Sequence, residues 1–413
     1  MADLDPVELG QKAEAMIRAL ATISAEEGRI TRLYLTPEHR RAADLVAQWM
    51  ADVGLSVSED ALGTVRGRLD GPGKRLLIGS HIDTVNDAGA YDGTFGVIAG
   101  ILAAAHFQAA GSVLPFGLDV LAFGDEEGSR FPATLLCSSA VAGHFDAETL
   151  AVESVDGVRL EDALRAYGKD PALIGEAAYG PDEVRAYVEA HIEQGPVLER
   201  ADEALGVVTA IAGQSRLIVT VIGEAGHAGT VPMAIRRDAL VAAAEMALAL
   251  EALARDHADD FMVGTVGKIS AAPGTANVIP ARVSFTVDLR SQSDSVRLAG
   301  LARLRAEVQA IADRRRVTAW MERSHDAPAI PCDLSIQDGL ARAVIALGGQ
   351  GLRLPSGAGH DGQAVGKLCP VGMLFVRCRG GISHNPAEYC APEDMGRAVA
   401  ALIAFVEGLA DEG

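Results

Sequence analysis

The chain has 413 residues, of which 49% are hydrophobic and 22% are charged, values typical of a globular protein and not of a disordered one. At roughly 150 residues per domain, this length predicts two to three domains. Acidic residues outnumber basic ones by 56 to 36, which gives a formal net charge of −20. Such a surface repels nucleic-acid phosphates and anionic lipid headgroups, so we expect neither nucleic acid nor a membrane as a partner.

The cysteines and the first segment of the chain both favour a cytoplasmic location. The longest apolar runs, such as Val97–Ala105, are far shorter than the roughly 20 residues that span a bilayer. Residues Met1–Leu20 lack a basic segment followed by a long apolar run, so no signal peptide is predicted. Five scattered cysteines without a C-x-x-C pair favour reduced thiols over disulfides or a cysteine zinc site: Cys137, Cys332, Cys369, Cys378 and Cys390.

In the first half of the chain, short apolar runs alternate with helical patterns. The pattern predicts helices over Pro37–Val53 and Thr94–Ala110, and buried strands over Arg75–Gly79, Leu118–Phe123 and Ala186–Ala190. Each of these strands runs directly into a cluster of His, Asp or Glu side chains. Sites in open α/β sheets form at the carboxyl ends of strands, so this placement predicts a functional site there.

The pattern changes after Gly206, where alternating strands and two long helices follow. The predicted strands are Val207–Ile211, Arg216–Ile222 and Arg282–Leu289, and the predicted helices are Asp238–Ala254 and Ser293–Ala312, the latter with Ser293 as N-cap. After Pro331 the earlier pattern returns, with a helix at Leu334–Leu347 and a buried strand at Gly372–Val376. We therefore predict a small α+β domain, residues 214–328, inserted into an α/β domain formed by residues 1–213 and 329–413.

Two polar motifs follow the first two predicted strands. In G-S-H-I-D-T-V, His81 follows the predicted strand, and Asp83 can accept the second imidazole N–H and fix its tautomer. Asp92 precedes the next helix, where one carboxylate can bridge two cations. In G-D-E-E-G-S-R, Glu126 and Glu127 are adjacent, and burying both is costly unless a cation or a proton compensates their charge.

Two further motifs each place a histidine just past a strand: His191 in E-A-H-I-E-Q-G-P-V-L-E and His384 in G-G-I-S-H-N-P-A-E. Taken singly, each motif also fits a polar turn, a capping histidine or a solvated acidic loop. Together they supply nitrogen and oxygen ligands without thiolates, a set that suits Zn²⁺, Mn²⁺, Co²⁺ or Ni²⁺. Five ligands with one shared suit two ions roughly 3.5–4 Å apart.

The sequence contains no H-E-x-x-H motif, no G-x-S-x-G elbow and no Walker loop. Its four motifs instead resemble the dinuclear-metal amidohydrolases of the hydantoinase/carbamoylase family. The resemblance runs from about Ile30 to Phe405 and includes the strings H-I-E-Q-G-P-V-L-E, N-V-I-P and S-G-A-G-H-D. It implies a mixed-sheet, dinuclear-metallopeptidase-like catalytic domain with an inserted α+β lid or dimerisation domain. Two departures from the family's strings, at Val231 and Cys137, remove no proposed ligand.

The resemblance also implies the cofactors and their ligands. The cofactors would be two divalent cations per subunit, Mn²⁺ or Zn²⁺, with Co²⁺ or Ni²⁺ as alternatives. Glu126 matches the general base, and the position of His191 favours the carbamoylase branch, because the peptidase relatives usually have a carboxylate there. The implied metal ligands are His81 and His191 for one cation, Glu127 and His384 for the other, and Asp92 for both.

Residues of the predicted insert match the family's substrate contacts: Gln214, His227, Asn277 and Arg290. A loop matches one that lines the substrate pocket: Gly357, Ala358, Gly359 and His360. Family members are homodimers in which the histidine matching His227 reaches the neighbouring subunit's site, where it would stabilise an oxyanion. Without the resemblance, Arg290 would be interpreted as a surface cation and His227 as a turn residue.

The strings around Met373–His384 and Glu126–Pro132 are most similar to those of allantoate amidohydrolases. We therefore expect hydrolysis of a small anionic ureido substrate, allantoate, to ureidoglycine, ammonia and carbon dioxide. N-carbamoyl-L-amino acids or β-ureidopropionate are the first alternative, a dipeptidase or aminoacylase on the same scaffold is the second, and a non-catalytic binding protein is the third. Glu126 would move the proton, and Arg290 with Asn277 and Gln214 would hold the substrate carboxylate.

Overall fold

The computed structural model describes residues 5–111 and 113–411, which form two compact units. The first unit contains the described residues up to Thr209, Cys332–Leu354 and those from Ala358 onward. The second contains Ala210–Pro331 and Pro355–Gly357. The predicted bounds at residues 1 and 413, and the start of the segment in which no signal peptide is predicted, lie outside the described residues. The predicted insert, 214–328, lies within the second unit, and its role as a lid or dimerisation domain stays a prediction.

The described residues form sixteen strands and eleven α-helices. The strands are β1 Ser56–Glu59, β2 Val65–Leu69, β3 Arg75–His81, β4 Gly117–Phe123, β5 Val184–Ile192, β6 Leu205–Ile211, β7 Gly213–Ile222, β8 Gly226–His227, β9 Val263–Thr265, β10 Ile269–Ala272, β11 Val278–Ile279, β12 Arg282–Ser291, β13 Thr318–Ala327, β14 Ile330–Pro331, β15 Arg353–Ser356 and β16 Val371–Val376. The helices are α1 Pro6–Ala21, α2 Pro37–Asp52, α3 Thr94–Ala109, α4 Leu136–Val141, α5 Leu160–Ala166, α6 Val197–Ala201, α7 Ala239–Asp256, α8 Asp294–Arg315, α9 Leu334–Ala346, α10 Gly362–Val365 and α11 Pro392–Asp411.

The sheet of the first unit is mixed, which confirms the predicted α/β class. Its strands follow the order β1-β2-β4-β3-β5-β16-β6, with β15 also pairing β6. The four central strands, β4, β3, β5 and β16, run parallel to one another, whereas β2 and β6 pair antiparallel with their neighbours. The four buried strands predicted from apolar runs are these central strands.

The central strands are apolar along nearly their whole length because both faces of the sheet are covered. β4 and β16 are buried at every position, and α3 buries twelve of its sixteen residues against the sheet and its neighbours. A parallel strand covered on both faces leaves only its ends for polar chemistry. The carboxyl ends of the central strands accordingly lead into the loops that hold the predicted ligands.

The second unit has a five-stranded antiparallel sheet in the order β10-β12-β7-β13, with β9 pairing β12. Along β12 and β7, buried and more exposed residues alternate, since α7 and α8 cover one face of the sheet. The predicted strands and helices of this region are confirmed. Asp238 caps α7, whereas Ser293 occupies the N-cap position of α8 without a side-chain cap, because its hydroxyl bonds to that of Ser295.

Two further expectations concern the chain as a whole. All five cysteines are buried and none is in a disulfide, as predicted. No described helix combines the length and the apolarity that crossing a membrane requires.

Candidate functional site

The first unit gathers its polar side chains at the carboxyl ends of the parallel strands. His81 is the last residue of β3, His191 is the penultimate residue of β5, and Glu126 and Glu127 follow β4. His384 lies in the loop after β16, in a left-handed backbone conformation with φ of 53°. Residues from distant parts of the sequence therefore meet because their strands are neighbours in one sheet.

Asp92 lies at the centre of this cluster and directs its two oxygens to different histidines. Its Oδ1 is 3.2 Å from Nε2 of His191 and 3.7 Å from Nε2 of His81. Its Oδ2 is 3.2 Å from Nε2 of His384, which in turn is 3.4 Å from Oε2 of Glu127. One carboxylate thus joins two groups of ligand atoms.

These groups have the composition that divalent cations bind. The ligand atoms of His81, Asp92 and His191 all lie within 4.8 Å of one another, and so do those of Asp92, Glu127 and His384. Among the described residues, the buried Nε2 of His191 has no hydrogen-bond partner of acceptable geometry, while its Nδ1 lies 2.9 Å from the carbonyl oxygen of Ile192. A proton on Nδ1 donated to that carbonyl leaves the Nε2 lone pair directed into the cluster, as a metal ligand requires. The residues present therefore fit two cations that share Asp92.

Asp83 holds the loop that carries the glutamate pair. Its two carboxylate oxygens accept the backbone N–H groups of Glu126 and Glu127, over 3.1 and 3.2 Å. The Nδ1 atom of His81 lies 3.2 Å from the backbone carbonyl oxygen of Asp83 and 3.4 Å from its carboxylate. The main-chain carbonyl and the carboxylate of Asp83 therefore both lie close to Nδ1 of His81.

Burial and close packing shift the pKa values of the carboxyl and imidazole groups in this cluster. Burial raises the pKa of Glu127 to about 7, with Asp92 contributing, and raises the pKa of Glu126 well above its ordinary value. The hydrogen bond to Asp92 raises the pKa of His384 to about 9. Such pKa shifts are expected where carboxylates are buried close together, and two cations bound there would offset their negative charge.

Three side chains fix the orientation of Asp92. Gln194 Nε2 and Ser383 Oγ donate to Oδ2 of Asp92 over 2.8 and 2.7 Å. Glu388 is buried and accepts the backbone N–H groups of Tyr91 and Asp92, over 2.8 and 3.1 Å, and its Oε2 lies 2.9 Å from the hydroxyl oxygen of Ser383. The bridging carboxylate is thus held from both its backbone and its side chain.

Gly93 allows His81 to lie against the start of α3. It has a φ of 65°, and a Cβ at this position would lie 2.3 Å from Cε1 of His81. Neither the ring nor the positive φ accommodates a larger residue here. The Y-D-G string therefore combines a candidate ligand, Asp92, with a glycine that makes room for a second candidate ligand, His81.

His360 is the buried member of the predicted pocket loop. Its ring packs edge-on against that of His191, with centroids 4.5 Å apart, and also contacts Phe375. Gly359 and Gly357 are exposed, and Ala358 is half-buried. The structure thus places His360 as a support for a ligand ring, and the role of this loop in binding substrate stays a prediction.

Predicted contacts of the second unit lie on the exposed face of its sheet. The Nε2 atom of Gln214 donates to Oδ2 of Asp288 over 2.9 Å, and the guanidinium of Arg290 pairs with both oxygens of Asp288, each at 2.9 Å. The Nη1 atom of Arg290 donates to the backbone carbonyl of Gly357 over 2.8 Å. Gln214, Arg290 and Gly357 therefore form one connected group, centred on Asp288.

His227 and Asn277 lie together on the two-stranded sheet formed by β8 and β11. The backbone N–H of Ala228 donates to the carbonyl of Asn277 over 2.9 Å, and both predicted side chains are exposed. The N–H of Gly229 donates to Nδ1 of His227 over 3.0 Å. Because Nδ1 is the acceptor, the proton of the neutral ring lies on Nε2.

The chain matches the model of peptidase family M20/M25/M40 over residues 77–408. A crystal structure described as an amidase of the hydantoinase/carbamoylase family, from Burkholderia multivorans, is 32% identical with a TM-score of 0.91 and covers 97% of this chain and 98% of its own. The chain belongs to the hydantoinase/carbamoylase amidases of peptidase family M20/M25/M40. The resemblance recognised in the four motifs is thereby confirmed.

Two curated relatives of this M20-family chain are similar over most of their length. "Allantoate deiminase 1" of Glycine max is 41% identical over 98% of the chain and 91% of the relative. "N-carbamoyl-L-amino acid amidohydrolase" of Geobacillus stearothermophilus is 41% identical over 89% of the chain and 90% of the relative. Because both relatives are 41% identical to this chain, sequence identity does not favour one of their two named activities over the other.

Sequence reasoning missed three residues around Asp92, namely Gln194, Ser383 and Glu388, and one residue of the second unit beside Arg290, Asp288. The first three lie inside quoted motifs, but a single glutamine, serine or glutamate beside a histidine carries no signal of its own. Asp288 alternates with apolar residues in V-D-L-R, which is typical of any half-exposed strand. The signal that could have found it is its position two residues before Arg290, on the same face of the strand.

Proposed function

We propose that the protein is a metal-dependent amidohydrolase that cleaves the carbamoyl C–N bond of a small ureido carboxylate, with allantoate as the preferred substrate. The observation that carries this proposal is Asp92, whose two oxygens face separate histidine-containing ligand groups with Glu126 beside them. The names of the two curated relatives support the substrate class. The products from allantoate are ureidoglycine, ammonia and carbon dioxide.

The proposed metal ligands are His81 and His191 on one side, Glu127 and His384 on the other, and Asp92 between them. Bound there, two divalent cations supply Lewis acidity that favours the deprotonation of water and stabilises negative charge on oxygen. We propose Mn²⁺ or Zn²⁺, because imidazole and carboxylate ligands without thiolates suit these ions. The same ligands also accept Co²⁺ and Ni²⁺.

Glu126 is the proposed general base. Its Oε2 lies 4.0 Å from Nε2 of His81, and its side chain is only 13% exposed. A buried carboxylate with a raised pKa can take a proton from the attacking water and return it to the leaving nitrogen. The carbamoyl C–N bond breaks as that nitrogen receives the proton.

The second unit supplies the proposed substrate contacts. Arg290, with Gln214 and Asn277, binds the substrate carboxylate. His227 acts from the partner subunit of a homodimer and donates from Nε2 to the oxyanion, in agreement with the tautomer that Gly229 sets. The loop at Gly357, Ala358, Gly359 and His360 completes the pocket.

Hydrolysis of N-carbamoyl-L-amino acids is the alternative, and the 41% identical Geobacillus stearothermophilus relative favours it. Both substrates present a ureido group next to a carboxylate. The same metal ligands, general base and carboxylate-binding residues would therefore act on either substrate. A dipeptidase or aminoacylase would need the same centre but no ureido recognition. We further propose that the enzyme acts in the cytoplasm.

The deciding experiment compares kcat/KM for allantoate, several N-carbamoyl-L-amino acids, β-ureidopropionate and dipeptides after reconstitution with Mn²⁺, Zn²⁺ and Co²⁺. The proposal expects the highest value for allantoate in at least one metal form. A higher value for carbamoyl amino acids selects the alternative, and a preference for dipeptides contradicts the ureido substrate class. Inactivity toward all of them in every metal form would reject an enzymatic role.

A further inference from the structure

The antiparallel register of β7 and β12 gathers four polar side chains on one face of the second unit's sheet. Arg290 pairs directly with Gln214, and Asp288 pairs directly with Arg216. Residues two apart in a strand share a face, so the four side chains form a square. Ser215 and Leu289, which lie between them in the two strands, are buried.

Asp288 is the hub of this square. Its carboxylate accepts two hydrogen bonds from Arg290, at 2.9 Å each, one from Gln214 Nε2 at 2.9 Å and one from Arg216 Nε at 3.2 Å. Burial opposes its charge, but Arg290 and Arg216 hold the pKa of Asp288 below its ordinary value. One ionised carboxylate therefore fixes three neighbouring side chains.

The bonds of Arg290 determine which part of its guanidinium remains available. Nε and Nη2 donate to Asp288, and Nη1 donates to the carbonyl of Gly357 over 2.8 Å. A guanidinium has five N–H groups, so two remain after these three bonds, one on each terminal nitrogen. Because Nε and Nη2 bind Asp288 side-on, the second N–H of Nη2 lies on the end-on edge of the guanidinium, the edge that faces a carboxylate bound end-on.

Space for a small anion is available beside this edge. A cavity of about 560 Å³ in the second unit is lined by Arg216, Asp288 and Arg290, together with Thr265, Thr286 and Gly357. The two arginines and one aspartate leave a net charge of about +1 at this wall, which suits one carboxylate.

We propose that Asp288 is a positioning residue that, together with the carbonyl of Gly357, presents the end-on edge of Arg290 to the substrate carboxylate. The inference rests on the proposed function and adds to it a residue that sets carboxylate specificity. Asp288 acts through Arg290 and Gln214 and takes no part in bond cleavage. Its removal should therefore weaken binding of the carboxylate and leave the chemical step nearly unchanged.

If Asp288 acted only through its charge, Asp288→Asn would change KM in the opposite direction from that expected if it positions Arg290. If only net charge mattered, removing a negative charge beside the anion site would tighten the binding of an anionic substrate. If position matters, the amide NH₂ of asparagine faces the arginine N–H groups, the pair breaks, and Arg290 loses its orientation. The direction of the change in KM therefore separates the two explanations.

The experiment measures kcat and KM of wild type and Asp288→Asn for the best substrate found above and for its uncharged carboxamide analogue. We expect KM for the carboxylate substrate to rise about tenfold or more, as for loss of a hydrogen bond to a charged group, with kcat within about threefold. KM for the carboxamide should change little, so the preference for the carboxylate should fall by about the same factor.

Glu245→Gln is the matched control, because Glu245 is also a carboxylate of the second unit that pairs with two arginines, Arg314 and Arg315. It should leave both KM values unchanged, and thermal unfolding should show that both variants are folded. An unchanged or lower KM for the carboxylate in Asp288→Asn would overturn the inference, and so would an equal rise for both substrates. Wild-type inactivity toward all ureido carboxylates would instead reject the proposed function.

Discussion

Ser383 donates its hydroxyl to Oδ2 of Asp92 over 2.7 Å, the same oxygen that faces His384 at 3.2 Å. The serine and the histidine are neighbours in the chain, and both meet a carboxylate from a loop almost three hundred residues away in sequence. The bridging position of Asp92 therefore depends on a residue that is itself no ligand.

Ser383→Ala should weaken metal binding without unfolding the protein. The variant leaves Oδ2 of Asp92 with one donor fewer, and loss of such a partner of a ligand reduces metal affinity by about 10–100-fold. Metal content after dialysis against graded concentrations of a chelator measures the effect. Ser335→Ala is the control, because Ser335 also donates its hydroxyl to an aspartate, Asp333, at the exposed start of α9. Equal metal retention in the two variants would contradict the assigned role of Ser383.

Gly93→Ala should disrupt the centre by collision with His81. The new Cβ would lie 2.3 Å from the ring, on a backbone with φ of 65°. Gly28 has a similar φ, 75°, but no described atom lies within 4 Å of a Cβ added there. Gly28→Ala therefore measures the free-energy cost of the backbone conformation alone. We expect a loss of roughly 1 kcal/mol of unfolding free energy in Gly28→Ala and at least about 2 kcal/mol, with reduced metal content, in Gly93→Ala. Similar losses in both would exclude the collision.

Glu126→Gln should separate metal binding from catalysis. The substitution keeps the size of the side chain and spares every proposed ligand, but an amide cannot accept the proton of water. We expect metal content equal to wild type and kcat lower by roughly 10²–10⁴-fold. Metal analysis and steady-state kinetics on one preparation test both parts. Near-normal kcat would show that another group is the base.

Mixed dimers test whether His227 acts in trans. Glu126→Gln and His227→Ala homodimers should each be nearly inactive, but a mixed dimer has one site with both native residues. Random exchange of equal amounts gives half mixed dimers, so about a quarter of wild-type activity should return. Differently tagged subunits allow the mixed dimer to be purified and assayed. A purified mixed dimer without activity would place His227 in its own subunit's site, whereas an active His227→Ala homodimer would place it outside the reaction.

His39 predicts part of the acid sensitivity of the fold. It is fully buried with Nδ1 2.7 Å from the hydroxyl of Tyr167, and burial lowers its pKa to about 3. The folded state keeps the ring neutral, whereas the unfolded chain protonates it below its ordinary pKa of about 6.5. The stability that this difference supplies is therefore complete above about pH 6.5 and falls as the pH drops toward 3, by about 2 kcal/mol at pH 5.

Urea unfolding of the chelator-treated protein at pH 7 and pH 5 measures this dependence. In His39→Gln, the loss of stability between the two pH values should be smaller than in wild type by about 2 kcal/mol. His144→Gln, which replaces an exposed histidine, should keep the wild-type loss. If His39→Gln lost as much stability between pH 7 and pH 5 as the wild type, other groups would account for the acid sensitivity.

The layered fold, and the position of the candidate ligands at the ends of strands, could be predicted because they depend on local patterns. Apolar runs such as Leu118–Phe123 must be buried strands, and a histidine or glutamate at the end of such a run lies at the carboxyl edge of the sheet. That both oxygens of Asp92 face histidines was implied by the family resemblance and could not be predicted from the residues alone. It depends on the order in which β3, β5 and β16 lie side by side, which no local pattern contains.

The residues that hold other side chains in place could not be predicted from the sequence for a related reason. The contacts of Asp288 can be recognised only once the register of β7 and β12 is known, because this register places Gln214 opposite Arg290. Glu388 becomes informative only when its loop meets the backbone of Tyr91 and Asp92. A buried carboxylate that holds other side chains looks, in one sequence, like an acidic residue on the surface.

The position of β16 has a consequence for synthesis of the chain. This strand lies between β5 and β6 and pairs with both, although nearly 160 residues separate it from β6 in sequence. Until it leaves the ribosome, β5 and β6 each present an unpaired edge to other chains. The segment Ala210–Pro331, in contrast, contains almost all of its own unit and can fold earlier. A nascent or truncated chain that ends before Val371 is thus exposed to aggregation with its second unit already folded, and it lacks both His384 and Ser383.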